Sequence, residues 1–162
     1  MALNAYLKLK GAKTGDIKGS VVQKGREGKI AIIAADHEIT TPRDPASGLP
    51  SGRRMHQPMV ITKELDKSSP LLYNLLANNE LISEWELQFW TPQISAATGA
   101  GSETQHYTIR LTNARLLNIH FVMPDNKDPK TASRAAYEVL NFSYEKIEWT
   151  WNDGGITASD KA

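Results

Sequence analysis

The sequence of 162 residues contains no cysteine, which excludes disulfide bonds, thiol catalysis and zinc–thiolate sites. No stretch approaches the roughly 20 consecutive apolar residues that a membrane-spanning helix needs, so we expect no membrane insertion. The first ten residues also lack the basic segment and the long apolar segment of a signal peptide. If the protein leaves the cell, we therefore expect a route that needs no signal peptide.

The sequence also lacks an excess of charge of either sign. Nineteen Lys and Arg residues against eighteen Asp and Glu residues give a formal net charge of +1, with both signs scattered along the chain. A nucleic-acid-binding protein usually carries a basic face, so we expect no nucleic acid as a partner. The length predicts one domain, and a composition of 40% hydrophobic and 23% charged residues is typical of a soluble globular protein.

Most of the chain has the pattern of β-strands. Alternating apolar and polar residues, or short runs rich in Ile and Ala, predict strands over residues 3–10, 17–22, 29–39, 59–65, 82–90, 107–111 and 117–123. The segment 91–104 is rich in Gly, Ala and Ser, and we predict a flexible connection there.

The last predicted strand contains a change of parity. Its apolar residues first occupy even and then odd positions: Leu140, Phe142 and Tyr144, followed by Ile147, Trp149 and Trp151. One face can stay in the core across such a change only if the strand carries an extra residue, so we predict a β-bulge at Glu145 and Lys146. The bend of a bulge suits a closed or nearly closed barrel. Beyond residues 152–155, a turn, we predict a loose tail.

Residues 69–79 carry the one convincing helix pattern. Ser69 is predicted to cap the helix and Pro70 to occupy its first position, where proline is tolerated. An apolar stripe follows at helical spacing, formed by Leu71, Leu72, Leu75 and Leu76. Asn78 and Asn79 are plausible C-terminal residues because asparagine tolerates the left-handed conformation. We predict one short helix packed against a sheet.

Residues 41–58 form a long segment with four prolines, two glycines and no apolar periodicity. Charged pairs lie near both ends, Arg43-Asp44 and Arg53-Arg54. A loop of this length inside a compact domain is either functional or disordered. The prolines lower the entropy that is lost when the segment is fixed against a partner, so we interpret it as an assembly arm.

The sequence shows no catalytic or metal-binding pattern. The histidines fall in four separate segments, without the spacing of a helical zinc site or the His-x-His pair of a cupin: His37, His56, His106 and His120. A Gly-x-Ser-x-Gly elbow is absent, and residues 24–28 lack the Gly-Lys-Ser/Thr ending of a phosphate loop. We therefore predict no catalytic residue, no metal and no cofactor.

An interaction or structural protein is thus favoured over an enzyme. The alternatives are a monomeric small β-barrel that binds a ligand and a barrel enzyme. Four tryptophans could form a ligand-stacking platform, although core packing is expected for Trp149 and Trp151 because they share a face with Ile147.

Several segments together resemble the Hcp (haemolysin-coregulated protein) family, the tube subunits of the bacterial type VI secretion system. The resemblance covers about residues 2–157 and is weakest in residues 91–104. In chain order, the segments that carry it are Tyr6-Leu7-Lys8-Leu9-Lys10, Asp16-Ile17-Lys18-Gly19-Ser20-Val21, Arg26-Glu27-Gly28, Asp36-His37, Ser47-Gly48, Arg53-x-x-His56-x-Pro58, Thr62-Lys63-Glu64, Asp66-Lys67-Ser68-Ser69-Pro70-Leu71-Leu72-Tyr73, Lys127-Asp128-Pro129 and Ser143-Tyr144-Glu145-Lys146-Ile147-Glu148-Trp149-Thr150-Trp151.

The resemblance implies a mainly β fold: a single antiparallel β-barrel of two packed sheets, with one short flanking α-helix and a long extended loop. This Hcp-like domain would span residues 1–157, followed by a flexible C-terminal tail over residues 158–162. The resemblance further implies a homo-hexameric ring, and rings that stack into an inner tube. It implies assembly in the bacterial cytoplasm and subsequent secretion without a signal peptide.

The implied partners are other copies of the chain, a spike protein at the tube tip, contractile sheath and baseplate proteins, and effector proteins in the lumen. In this family the extended loop lies at ring-to-ring contacts. The resemblance therefore assigns a ring-stacking loop to the following residues: Pro42, Arg43, Asp44, Arg53, Arg54 and His56.

Overall fold

The computed structural model describes residues 4–94 and 101–162. This part of the chain contains thirteen strands and one helix, α1. The elements are β1 Asn4–Gly11, β2 Gly15–Ile17, β3 Ile30–Ile32, β4 Ala34–Asp36, β5 Ile39–Thr40, β6 Met55–His56, β7 Met59–Glu64, α1 Ser69–Ala77, β8 Ile82–Ile94, β9 Gly101–Thr112, β10 Arg115–Val122, β11 Tyr137–Ser143, β12 Lys146–Trp151 and β13 Ile156–Lys161.

The strands form two main sheets and one small hairpin, and every pairing is antiparallel. The larger sheet has the order β13-β12-β9-β8-β1-β2, and β3 also pairs with β1. The smaller sheet has the order β10-β11-β7-β4, and β5 pairs with β6. These observations confirm the prediction of a mainly β, antiparallel fold with one short helix.

Four stretches of chain pass from one main sheet to the other. The first is β3–β4: β3 pairs with β1 of the larger sheet and β4 with β7 of the smaller one. At the corner between them, the Ile33 N–H donates to the Thr62 carbonyl at 2.8 Å. The other three crossings run from β7 through α1 to β8, from β9 to β10, and from β11 to β12. The predicted single barrel is not confirmed, because no hydrogen-bonded ladder closes the two sheets into one ring of strands over residues 4–94 and 101–162.

The core lies between the sheets. Buried residues alternate with less buried ones along β7 and β11, as the period of two of a strand predicts. Trp85 from the larger sheet packs edge-to-face on Phe142 from the smaller one, with ring centroids 5.6 Å apart. Both side chains are almost fully buried, so this pair joins the two sheets at the centre of the core.

The prediction of a β-bulge at Glu145 and Lys146 is wrong, because the chain passes there from one sheet to the other. β11 ends at Ser143 and β12 begins at Lys146, and the two strands belong to different sheets. The change of parity is real, with Phe142 and Ile147 both fully buried, but it arises at a corner and not in a continuous strand. The sequence pattern cannot distinguish these cases, because both reverse the faces of a strand.

The helix lies close to its predicted position, with a different start. It spans Ser69–Ala77, so Pro70 is its second residue. The Ser69 hydroxyl does not cap the helix, because it donates to the Glu138 carboxylate at 2.7 Å. Leu72 and Leu75 are buried against the core. At the far end, Asn79 has a φ of 47°, which confirms the predicted left-handed asparagine.

Two predicted irregular segments are ordered as strands. Ile156–Lys161 forms β13 and pairs with β12 along its length, so the predicted tail over residues 158–162 is wrong up to Lys161. The turn at residues 152–155 returns the chain to the sheet. A turn-rich sequence can lead either to a tail or to a paired strand, so the sequence did not distinguish them.

Most of the predicted connection 91–104 is also paired, since Thr91 lies opposite Thr104 in the β8–β9 hairpin. Two predicted features lie outside the described residues. They are the start of the first strand at Leu3 and the part of the flexible connection at residues 95–100. Among the helices of the described part, none is long and apolar enough to span a membrane.

Candidate functional site

The segment predicted as an assembly arm is an extended hairpin. We call residues 39–56 the arm. Its base is the β5–β6 pair, in which Ile39 lies opposite His56. Further out, Arg43 and Pro50 form a bridge, and the Ser51 N–H donates to the Pro42 carbonyl at 2.8 Å. The chain therefore forms an ordered two-stranded projection and not an irregular loop.

The tip of the arm is held by local hydrogen bonds. The Asp44 carboxylate accepts from the Ala46 N–H at 2.8 Å, and the Arg43 guanidinium donates to the Gly48 carbonyl at 3.0 Å. Gly48 has a φ of 72°, a conformation that favours glycine, which accounts for the Ser47-Gly48 pair in the sequence. Every residue from 43 to 54 is exposed, so the arm tip is available to a partner.

A chain of five polar side chains fixes the base of the arm. We call it the anchor, and it consists of His37, Arg54, His56, Tyr144 and Asp160. The Arg54 guanidinium makes two hydrogen bonds to the Asp160 carboxylate, Nε to Oδ2 at 2.8 Å and Nη2 to Oδ1 at 2.7 Å. Such paired, charge-assisted bonds fix geometry as well as adding energy. The anchor thus binds the arm to β13.

The two histidines complete the anchor. His56 Nε2 lies 2.8 Å from Asp160 Oδ2, and His56 Nδ1 lies 2.8 Å from the Tyr144 hydroxyl. On the other side, His37 Nε2 lies 2.6 Å from the same hydroxyl. The Tyr144 hydroxyl therefore lies between two imidazole rings. It connects His37, which directly follows β4, to His56 at the base of the arm.

The electrostatics of the anchor follow from these contacts. The hydrogen bonds from Arg54, with a further contribution from His56, lower the pKa of the Asp160 carboxyl to about 2. Burial, with the charge of Asp160 adding to it, raises the pKa of Tyr144 to about 12. Burial also lowers the pKa of His37, and the positive charge of His56 acts in the same direction. The contacts of the anchor thus favour a charged Asp160, a neutral Tyr144 and a neutral His37.

The six residues assigned to the ring-stacking loop fall into two groups. Four of them lie on the outer part of the arm, namely Pro42, Arg43, Asp44 and Arg53. Arg54 and His56 instead belong to the anchor, and their polar atoms are engaged within the chain. His56 is only 5% exposed at its side chain. The sequence could not separate these groups, because their partner Asp160 lies in a segment predicted to be a tail.

A second polar cluster is buried beneath the start of the helix. Lys63 and Glu138 are fully buried, and Lys63 Nζ lies 2.6 Å from Glu138 Oε1. The Lys63 ammonium also contacts Asp66 Oδ1 at 3.1 Å and donates to the Ser69 hydroxyl at 3.1 Å. Because it joins β7, β11 and α1 and is closed to solvent, this cluster is a structural connection. It accounts for the Thr62-Lys63-Glu64 and Asp66-Lys67-Ser68-Ser69 segments noted in the sequence.

The glycine-containing loop 24–28 is also occupied within the chain. The Arg26 guanidinium stacks on Trp90, 4.6 Å from the ring centroid, and forms an ion pair with Glu103. This arrangement holds the loop on the β8–β9 hairpin and gives it a structural role in place of phosphate binding. No group of three or more metal-ligating side chains comes together over residues 4–94 and 101–162.

Exposed apolar side chains lie on β10 and on the β12–β13 pair. β10 is an edge of the smaller sheet, and Phe121 is 49% exposed on it. Leu117 and Met123, which belong to the same alternating set in the sequence, are also exposed. At one edge of the larger sheet, Trp151 on β12 pairs with Ile156 on β13, with exposures of 47% and 69%. Trp151 was predicted to be buried, and that prediction is wrong, whereas Trp149 packs partly against the core.

Comparison with known proteins decides the family. A family model described as "Type VI secretion system effector, Hcp" matches residues 6–151. The chain belongs to the Hcp family. It is 36% identical to the major exported protein of Pseudomonas aeruginosa over 169 aligned positions, which cover 99% of this chain and 95% of that one.

Solved Hcp structures share the fold. The Hcp1 protein from the E. coli EAEC 042 pathovar is 34% identical, with a TM-score of 0.81 and 99% of each chain covered. The secreted protein Hcp3 from Pseudomonas aeruginosa is 30% identical, with a TM-score of 0.76, covering 99% of this chain and 98% of that one. The resemblance drawn from the sequence is therefore confirmed at the level of family and fold.

Proposed function

We propose that this Hcp chain is a structural subunit of a type VI secretion tube, in which six copies form a ring and rings stack into the tube. The observation that carries the proposal is the pair of sheet edges with exposed apolar side chains, on β10 and on β12–β13. An open edge exposes unpaired backbone groups as well, and native proteins usually cover both. A closed ring of copies, each placing one of these edges against the other edge of its neighbour, would cover both.

Stacking of rings is assigned to the arm. Its tip projects, is exposed, and carries both signs of charge at Arg43, Asp44 and Arg53. Rim charges of this kind set register and salt sensitivity more than affinity. The anchor supports this role, because a projection fixed at its base loses less conformational entropy when it binds.

The remaining partners follow from the proposed tube. They are a spike protein at its tip, sheath and baseplate proteins around it, and effector proteins in its lumen. On this proposal the protein assembles in the bacterial cytoplasm and is then exported without a signal peptide, in a role that requires no catalysis.

A ligand-binding protein is the second candidate, favoured by an apolar cavity of about 410 Å³ between the sheets. It is lined chiefly by aliphatic and aromatic side chains, including Ile32, Met59, Phe89 and Ile109. A cavity of this size could hold a small molecule.

Mass in solution separates the two candidates. Sedimentation velocity at micromolar concentration should give six times the mass of one chain, and negative-stain images should show rings. Phe121→Glu should reduce that mass by placing a charge at the covered edge of β10. Lys127→Glu, an exposed substitution in the loop after β10, should not. A wild-type protein that is entirely monomeric under these conditions would contradict the ring.

A further inference from the structure

We infer that the anchor is a proton-responsive latch, which holds the base of the arm closed at neutral pH, accepts one proton without opening, and opens when both of its histidines are charged. The inference rests on the proposed role of the arm and concerns how the arm is held. It follows from the number of donors and acceptors around the Tyr144 hydroxyl.

At neutral pH every hydrogen bond of the latch can be made with both histidines uncharged. The Asp160 carboxylate only accepts, so His56 Nε2 must carry a hydrogen. Nδ1 of a neutral His56 then lacks one, and it accepts from the Tyr144 O–H. The Tyr144 oxygen in turn accepts from His37 Nε2–H. The hydroxyl thus donates once and accepts once.

A first proton reverses the direction of these bonds and breaks none. When His56 is charged, its Nδ1–H donates to the Tyr144 oxygen, and the Tyr144 O–H turns toward His37 Nε2. His37 must then carry its hydrogen on the other ring nitrogen. The charge on His56 lies 2.8 Å from Asp160, an attraction that strengthens the latch.

A second proton leaves the latch without a complete set of partners. When His37 is also charged, both rings donate to the Tyr144 oxygen, and the Tyr144 O–H has no acceptor left within the latch. Two positive charges then face each other across one hydroxyl. A buried donor without a partner and a like-charge contact are both unfavourable, so the contacts of the two histidines with Tyr144 should break and the base of the arm should open.

The charges around the latch place this second step below the ordinary histidine range. Burial lowers the pKa of His37 most, His56 adds to that effect, and Asp36 on β4 opposes it. Arg54 is paired with Asp160 from the arm side. The carboxylate next to Tyr144 in the sequence, Glu145, is engaged by Asn113 at 2.7 Å and so is directed away.

Hydrogen exchange measured by NMR on the full chain tests the latch. Two amides report on it, Gln57 N–H bonded to the Glu38 carbonyl at 3.0 Å and Ala162 N–H bonded to the Glu145 carbonyl at 2.9 Å. Their protection factors should hold between about pH 8 and about pH 6 and fall about tenfold or more by about pH 4.5. Protection at Ile61 and Leu140 in the core should not change, which reports an intact fold in the same spectra.

Substitutions decide between the latch and a general effect of acid. His37→Gln can donate and accept but cannot become charged, so the two reporters should stay within about twofold over the same pH range. His120→Gln, on the exposed side of β10, should behave as the wild type does. Tyr144→Phe should lower the protection of both reporters at about pH 8 as well, because both histidines lose their shared partner.

Two results would overturn the latch: an acid-induced loss in His37→Gln equal to that of the wild type, or no loss in the wild type. If Tyr144→Phe fails to fold, the His37→Gln comparison still decides. Ring stacking is not a readout here, so a protein that passes this test but never stacks would contradict the proposed function alone.

Discussion

Arg54 and Asp160 lie 106 positions apart in the sequence, yet the guanidinium of one and the carboxylate of the other form two parallel hydrogen bonds of 2.8 and 2.7 Å. This contact joins the base of the arm to the last strand of the larger sheet. The arm is therefore fixed at one end and exposed at the other, as a projecting contact element must be. Arg54 belongs to the support of the arm, and Arg43, Asp44 and Arg53 are left for a partner.

Shortening the arm should separate stacking from folding. Replacement of residues 43–53 by a tight glycine-containing turn removes the exposed tip and keeps Arg54 and His56 in the anchor. We expect the subunit to fold and to form rings, because the segment is exposed and its hydrogen bonds are mostly local. Stacking of rings into tubes should be lost in negative-stain images.

The control for the shortened arm is Lys127→Ala with Lys130→Ala, two exposed charges on a different loop, which should stack as the wild type does. Unimpaired stacking by the shortened protein would show that the arm is not the stacking element. Failure of the shortened protein to fold would show that the tip has a structural role.

Removing one partner of the buried Lys63–Glu138 pair should lower the free energy of unfolding strongly, whereas replacing both partners by apolar residues should change it little. Lys63→Ala leaves the Glu138 carboxylate buried without its counter-charge, and we expect a loss of about 3–5 kcal/mol in the free energy of unfolding. The double change Lys63→Met with Glu138→Leu removes both charges, and it should be close to neutral or stabilising. Denaturant titration measures both values.

A matched surface pair calibrates this measurement. Lys8→Ala breaks the partly exposed pair with Glu84, whose atoms lie 3.0 Å apart, and it should cost no more than about 1 kcal/mol. Equal effects of Lys63→Ala and Lys8→Ala would contradict the structural role assigned to the buried cluster.

Stability should fall at acid pH through Asp160. The pKa of this carboxyl is about 2 in the folded protein, against roughly 3.9 for an ordinary aspartate. As the pH falls, the unfolded chain binds the proton first, so the stabilisation present above about pH 4 is lost between about pH 4 and pH 2. Thermal midpoints measured across this range should fall less steeply for Asp160→Asn than for the wild type.

At alkaline pH the same measurement should report on Tyr144. Its pKa is raised to about 12, against roughly 10 for an ordinary tyrosine, so the unfolded chain loses its proton first as the pH rises. The stabilisation present below about pH 10 is therefore lost between about pH 10 and pH 12. Tyr144→Phe should flatten this part of the profile. Identical slopes for the variant and the wild type would contradict the assigned environment of the hydroxyl.

Local patterns in the sequence determined much of the fold and the family. Alternation predicted the strands because side chains of a strand point to opposite faces, and Pro70 with the leucine stripe predicted the helix. The Arg53-x-x-His56-x-Pro58 and Asp66-to-Tyr73 segments carried the resemblance to the Hcp family. The change of parity around Glu145 also marked a real event in the chain path. Each of these signals arises within a few neighbouring residues, and a sequence displays such signals directly.

Tertiary structure alone decided which faces are covered and which distant side chains meet. A period of two shows that Phe121 and Trp151 share a face with other apolar residues, but it cannot show whether another sheet covers that face. The same limit hid the corner at residues 144–145, because a bulge and a passage between sheets reverse the pattern identically. The anchor could not be predicted either, since Arg54, His56 and Asp160 meet only once β13 has paired with β12. Contacts between residues about a hundred positions apart depend on the path of the chain, and local periodicity does not predict that path.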